Sequence, residues 1–439
     1  LKPWDHGNLH VMNNNRYFAH GEVPFFLLAD TAWTLFQKMT FEDSKIYIKN
    51  RSIKKFTAIA AVLVNFQSTQ KSSQFSDIPN HDLTEMLKPE YEHYWQHINN
   101  VVHYAEKCGM YMMLLPVWGS VMKSGKLNKN NCDVYTRFLI NRFARFKNII
   151  WVLGGDIRGD MGYDVWNHMG TLFKSDDPLR LISFHPFGRT CSSYWFQKQD
   201  WIDFHMFQSG HRRTDQRLLN EWDEANSNEP WYGEASYLYV ENNINRHPKR
   251  PILDGEPSYE MIPQGLHNPA EPYWESKHAR RYAYWSVLSG SAGHVYGHNA
   301  IIQFYGTGSD PVYGVKETWN VGIHDLGSAH MTILIDLLYE VDFTQCQTMK
   351  QILHSPSTNN PDDVNIAFGN DTYILIYIFN GTAFDITLQG CFNAYWIDPM
   401  SGIKSYFSKI NANENIVHLI PPDKKTDSSD WLLLLKKCA

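Results

Sequence analysis

The chain has 439 residues, with 40 Lys and Arg against 46 Asp and Glu and a net charge of −6. That balance lacks the basic excess of a nucleic-acid surface, and no apolar run reaches the roughly 18 residues that a membrane span needs. The length exceeds one ordinary core, so two domains are expected. Aromatic residues make up 14%, including 15 Trp and 24 Tyr. Flat rings with polar edges suit either stacking on sugar faces or a Trp-rich core. The six cysteines are scattered without a CxxC. They read as buried thiols rather than a zinc site, with one disulfide left open. The chain opens in a polar segment at Leu1 with no visible signal peptide. A trimmed leader is expected, and with it a periplasmic, secreted or cell-surface location.

Residues 1–24 read as a small hairpin cap around Asn13-Asn-Asn-Arg16. The first buried strand is 25–30, ending at Asp30, followed by a helical pattern over 41–55. A second strand covers 57–64, and a long polar excursion fills 67–89. Helix 91–108 ends at Gly109 and leads into a third strand over 110–118. Helix 130–146 precedes the fourth strand, Asn148-Ile-Ile-Trp-Val-Leu-Gly-Gly-Asp156. After a helix at 163–174 come strands at 180–185, 202–208 and 251–254. Helix 275–288 leads to an eighth strand at 293–296, and a last helix covers 327–341.

Eight apolar strands alternating with helices argue for an α/β fold, a (β/α)8 TIM barrel over 1–345; an open doubly wound sheet is the alternative. Closure is favoured because polar or aromatic residues punctuate the strand ends: Asp30, Asn65, Trp118, Asp156, His185, Gln208, Glu256 and Tyr296. Beyond 345 the texture changes. Strand-like runs at 373–379, 385–388, 393–397 and 431–435 are separated by Gly, Asn and Asp turns. They predict a small all-β sandwich over 346–439.

Two strand ends carry the chemistry. Leu253-Asp-Gly-Glu-Pro257 and Leu153-Gly-Gly-Asp156 each run from an apolar strand through glycine to a carboxylate. Such a pair at the C-terminal ends of barrel strands suits glycosidic cleavage, which needs an acid for the leaving oxygen and a carboxylate facing the anomeric carbon. Glu256 is the candidate nucleophile and Asp156 the candidate acid/base. Each has a plainer reading: Asp156 as a turn residue, Glu256 as the partner of an arginine. Asp160 and Glu260 are nearby rival carboxylates. Asp30 either binds sugar hydroxyls or caps the segment after Thr31. His185, His205 and His294 either surround the sugar or are hydrogen-bonded core histidines. Trp33 and Trp118 either stack on a sugar or pack inside. Gln208 and Tyr259, at or just past strand ends, complete the expected cleft. A metal-dependent hydrolase is the rival enzyme class. Its barrels usually open with His-x-His on strand one and use a Lys or carboxylate bridge on strand four; strand one here reads Phe-Leu-Leu-Ala-Asp30, and strand four has no Lys. Without HExxH, GxSxG or a phosphate loop, neither metal nor cofactor is expected.

Pro24-Phe-Phe-Leu-Leu-Ala-Asp-Thr-Ala-Trp33, Leu115-Pro-Val-Trp-Gly119, Asn148–Asp156 and Asp254-Gly-Glu-Pro-Ser-Tyr259, in this order, resemble the apiosidase-like barrel family, glycoside hydrolase family 140 and its relatives. The tail around Tyr395-Trp-Ile-Asp-Pro-Met-Ser-Gly402 resembles the collagen-binding-type β-sandwich that follows that barrel. The resemblance covers nearly the whole chain. It implies a glycosidase acting on pectic side chains such as rhamnogalacturonan II, with Asp156 as acid/base, Glu256 as nucleophile and an oligosaccharide or polysaccharide as the partner. The second strand end and the 68–90 loop do not match the family, and loops after strands set barrel specificity. A carbohydrate-binding barrel without activity and a matrix-binding module are the non-enzyme readings. The sugar, its linkage and the oligomeric state stay open. A retaining enzyme would hold the two carboxyl groups about 5–5.5 Å apart, and this shorter spacing is expected.

Overall fold

The computed structural model describes residues 1–66, 75, 77–78, 82–219, 229–308, 310–354, 364–423 and 429–438. Most of the polar excursion after the second strand therefore lies outside the described residues, as does part of the charged 422–430 loop.

Three short strands open the chain as an antiparallel sheet: β1 (Leu9–Val11), β2 (Phe18–His20) and β3 (Val23–Phe25). The barrel strands follow: β4 (Leu27–Thr31), β5 (Ala58–Val62), β6 (Tyr111–Leu115), β7 (Ile149–Gly154), β8 (Ile182–His185), β9 (His205–Phe207), β10 (Ile252–Asp254) and β11 (Gly293–Tyr296). All pairings among them are parallel, in the order β8-β7-β6-β5-β4-β11-β10-β9. The ring closes between β8 and β9 through other bonds. Ser183 Oγ donates to the Phe204 carbonyl at 2.7 Å, and Asp203 N to the Ile182 carbonyl at 2.9 Å. The strands are buried on both faces, which is why each reads as a nearly unbroken apolar run.

Helices at Phe41–Ile53, Glu92–Lys107, Cys132–Phe143, Tyr163–Asp176, Ser276–Leu288 and Leu326–Glu340 match the predicted ones to within a few residues. Local chemistry sets their ends. Thr40 accepts the Asp43 N–H at the start of the first, satisfying a donor that the helix itself leaves open. Gly109 follows the second with φ +77°, a left-handed stop that glycine takes without penalty.

The tail is one antiparallel sheet built from β12 (Gln347–Thr348), β13 (Leu353–His354), β14 (Ile366–Gly369), β15 (Tyr373–Ile378), β16 (Phe384–Ile397), β17 (Lys404–Leu419) and β18 (Trp431–Lys437). The two runs expected at 385–388 and 393–397 are a single strand, β16, with a register shift after Leu388 and Gly390 at φ +114°. One end of β16 pairs with β13 and the other with β18, so the sheet folds round an enclosed core of Ile374, Ile376, Ile386, Leu433 and Leu435. Alternate residues Ile366, Phe368, Leu375, Tyr377, Leu432 and Leu434 join the barrel core instead. Leu432 to Leu435 is unbroken leucine because both faces of β18 are covered. A Cys391–Cys438 disulfide ties the end of β18 to β16.

The seam between barrel and tail holds a buried ion pair. Arg280 Nε and Nη2 each lie 2.9 Å from an Asp430 oxygen, and both side chains are at most 1% exposed. Tyr377 also donates to Asp430, and its ring stacks on Tyr284 at 4.7 Å. Truncating Asp430 would leave the buried guanidinium without its carboxylate. Asp430→Ala is expected to destabilise the protein by about 3–5 kcal/mol, read as a lowered denaturation midpoint in urea.

Candidate active site

Gly154 and Gly155 bring Asp156 to the top of β7. A Cβ on Gly154 would run into the His185 carbonyl, and one on Gly155 would sit 2.9 Å from the Trp118 ring. Both glycines, and Asp156 itself at φ +53°, are in the left-handed region, so the turn is tight and fixed. Asp156 N donates to His185 Nδ1 at 3.2 Å, and Gln208 Nε2 donates to Asp156 Oδ1 at 3.2 Å. Burial, and then the charge of Glu256, push the Asp156 carboxyl above the ordinary range.

Glu256 stands two residues beyond β10. Its own N–H donates to Asp254 Oδ1 at 3.3 Å, and its carbonyl accepts from Gly210 N at 3.0 Å. Burial pushes the Asp254 carboxyl up to about 8. The Glu256 carboxylate meets two histidines: His211 Nε2 lies 2.9 Å from Oε1 and His185 Nε2 3.3 Å from Oε2. Both rings are locked in one tautomer. His185 Nδ1 accepts Asp156 N–H, and His211 Nδ1 accepts Tyr259 N–H at 3.4 Å. In its neutral form each ring therefore carries its proton on Nε2, on the side of Glu256. Burial works against the charge on Glu256, but the His185 and His211 contacts outweigh it and hold the carboxyl at about 2.

The two carboxylates therefore face one cavity of about 220 Å³ with opposite tendencies, one kept charged and one drawn towards its proton. Gln208 and His211 share the lining, and Lys123, Arg189 and Arg212 supply cationic groups, with Phe187 and Leu266 as the apolar part. Trp33, Trp118 and Tyr259 stand behind this surface. Trp33 and Trp118 have ring centres 5.0 and 6.1 Å from His185. Tyr259 lies 4.6 Å from His211 and accepts Trp33 Nε1–H at 3.1 Å. They brace the two histidines.

Three expected residues are elsewhere, and strand parity is the reason: side chains two apart on a strand share a face. Asp30 points out to the helix Phe41–Ile53, where Arg51 Nε and Tyr47 Oη reach its Oδ2 at 2.5 and 2.6 Å; it is neither a sugar ligand nor the cap of the segment after Thr31. His294 lies in register with Leu28, two residues before Asp30, so it faces the helices too. It is 1% exposed, and burial lowers its ring to about 3. His205 precedes Phe207 by two, and Phe207 stacks on Tyr239 of the helix Ser236–Asn243. Its Nδ1 bonds Ser192 Oγ at 2.9 Å, and burial lowers it to about 3. The rival carboxylates are engaged away from the cavity: Asp160 with Arg158, Glu260 with Tyr296 Oη and Gly327 N.

His211, Arg189 and Arg212 are missing from the expected set because they lie in loops without strand or helix periodicity, and Lys123 ends a short helix, Gly119–Lys123, too brief to show one. The available signal for His211 was its place three residues beyond Gln208. Among the described residues one set of side chains groups as cation ligands do: the ligand atoms of His298, Glu317 and Asp325 lie within 4.8 Å of one another. However, His298 Nδ1 accepts Ala300 N–H at 3.1 Å, which leaves the proton on Nε2, 2.9 Å from Asp325. The ring is a donor there and does not fit a metal ligand.

Against known proteins, the profile described as "Apiosidase-like, catalytic domain" matches residues 12–345. That described as "Putative collagen-binding domain of a collagenase" matches 349–436. None of the curated proteins matches. A solved structure named "Glycoside hydrolase" is 31% identical over 100% of this chain and 98% of its own, with a TM-score of 0.91. A family 5 glycoside hydrolase from Bacteroides vulgatus ATCC 8482 is 29% identical over 100% and 94%, with a TM-score of 0.89. A family 39 glycoside hydrolase from Bacteroides cellulosilyticus WH2, 10% identical over 96% and 84% with a TM-score of 0.52, shares the fold alone.

Proposed function

Because the chain belongs to the apiosidase-like family of glycoside hydrolases, we propose that it cleaves a pectic glycan by a retaining two-carboxylate mechanism, releasing a small sugar such as apiose. The observation that carries this reading is the opposed environment of two carboxylates in one cavity, which is how a barrel assigns acid and nucleophile. Glu256, charged, hydrogen-bonded to His211 and 3.3 Å from His185, attacks the anomeric carbon. Asp156, drawn towards its protonated form, gives its proton to the leaving oxygen and later takes one from water.

The cavity supports a small glycone. Its 220 Å³ falls below the roughly 300 Å³ at which pockets for drug-sized ligands begin, a size that suits one sugar ring. Lys123, Arg189 and Arg212 in the wall complement uronate carboxylates, the charge that pectic chains carry. The Cys391–Cys438 disulfide supports action outside the reducing cytoplasm. Incubation with rhamnogalacturonan II and homogalacturonan oligosaccharides, with analysis of the released sugar, tests the reading. Release of a monosaccharide supports it, and release only from neutral glycans contradicts the pectic part.

The pH profile follows from the two carboxyl groups. The first step needs Glu256 charged and Asp156 protonated. Hence kcat/KM should fall on the acid side only near pH 2, where Glu256 takes a proton. On the alkaline side it should fall as pH climbs through the raised pKa of Asp156. In His211→Ala one donor to Glu256 is lost, and a hydrogen bond to a charged group contributes about 1.5–3 kcal/mol. The acid limb should move up by at least about one pH unit while the alkaline limb keeps its place.

A further inference from the structure

The segment after β11 brings Tyr313, a residue that the two-carboxylate scheme does not use, into ring contact with His267 of the cavity wall. We infer that Tyr313 binds the substrate: its ring roofs the cavity beside His267, and its phenol donates to a hydroxyl of the sugar held between Asp156 and Glu256. The inference rests on the glycosidase reading above.

His267 lines the cavity, and the Tyr313 ring lies 5.6 Å from it. Tyr313 is half-buried, and within the described residues its hydroxyl forms no hydrogen bond. Its position is enforced. The backbone sits at φ +55°, a conformation that an aromatic residue rarely takes and that persists only where the surroundings impose it. Asn299 Nδ2 donates to the Tyr313 carbonyl at 2.8 Å. Gln303 clamps Val312 from both sides, accepting its N–H at 3.0 Å and donating to its carbonyl at 3.1 Å. Tyr273 Oη donates to the Gly314 carbonyl at 2.8 Å. Burial, and then the charges of Asp156 and Glu256, push the phenol up to about 12, which is the electrostatic mark of a hydroxyl near both carboxylates. It stays protonated at any working pH and so remains a donor.

Calorimetric titration with a hydroxylated pyrrolidine, a cationic mimic of a five-membered sugar at the transition state, tests this on the full chain. Tyr313→Phe keeps the ring and removes one donor, so affinity should fall about tenfold at an unchanged thermal midpoint. Tyr313→Ala should lose at least as much. On rhamnogalacturonan II oligosaccharides, Tyr313→Phe should raise KM more than it lowers kcat and leave both limbs of the pH profile in place. Binding by Tyr313→Phe and Tyr313→Ala within twofold of wild type, with binding lost in Glu256→Ala, overturns the inference and leaves the two-carboxylate site standing. Absence of binding by wild type, or undiminished binding by Glu256→Ala, overturns the site reading and the inference with it.

Discussion

Replacing Glu256 with alanine is expected to abolish turnover on every substrate, by at least about 10⁴-fold in kcat, because the proposed mechanism makes its carboxylate the atom that bonds the sugar. The environment of Glu256 predicts that even the isosteric Glu256→Gln fails. His211 and His185 both present N–H groups to this position. A carboxylate accepts from His211 and lies 3.3 Å from the His185 Nε2, whereas an amide turns its own N–H₂ against one of the two rings. Folding should survive either change, since Glu256 lies beyond the last residue of β10 and its backbone is held through Asp254 and Gly210. Unchanged far-ultraviolet circular dichroism with lost activity is the expected pair of results. Residual activity above a hundredth of wild type would remove Glu256 from the chemistry.

Asp156→Ala should behave differently, and the difference identifies its role. A general acid contributes about 10²–10⁴-fold where the leaving group needs a proton, and little where it leaves as a stable anion. On a natural glycoside the loss should lie in that range. On a nitrophenyl glycoside the first step should proceed nearly as in wild type, with the alkaline limb of its pH profile gone, and the second step should become limiting. Equal loss on both substrate types would make Asp156 a structural residue.

The barrel was legible in the sequence because its strands are short apolar runs buried on both faces, separated by helices with clear periodicity. The tail was harder to read. β17 is mostly exposed, pairs among the described residues with β16 alone and mixes polar with apolar residues irregularly, so no alternation marks it. β16 was split in two because Gly390 and its register shift interrupt the pattern. At the site, Asp156 and Glu256 lie beyond their strands, on glycine turns that sequence displays, and His185 closes β8 on the inner face. Asp30, His205 and His294 misled because polarity near a strand end says nothing about which face the side chain takes; that needs the register, which only pairing supplies. His211 and Tyr313 sit in loops, where position depends on contacts across the fold.

The most direct test of the account is to find the covalent glycosyl-enzyme. Asp156→Ala incubated with a nitrophenyl glycoside that wild type hydrolyses should complete the first step and stall before the second, for want of a base. Peptide mass spectrometry should then place one sugar on the peptide containing Glu256, as an ester at its carboxyl. A sugar attached to another residue, or no adduct together with a first-formed product of inverted configuration, would contradict the assignment of Glu256 as nucleophile.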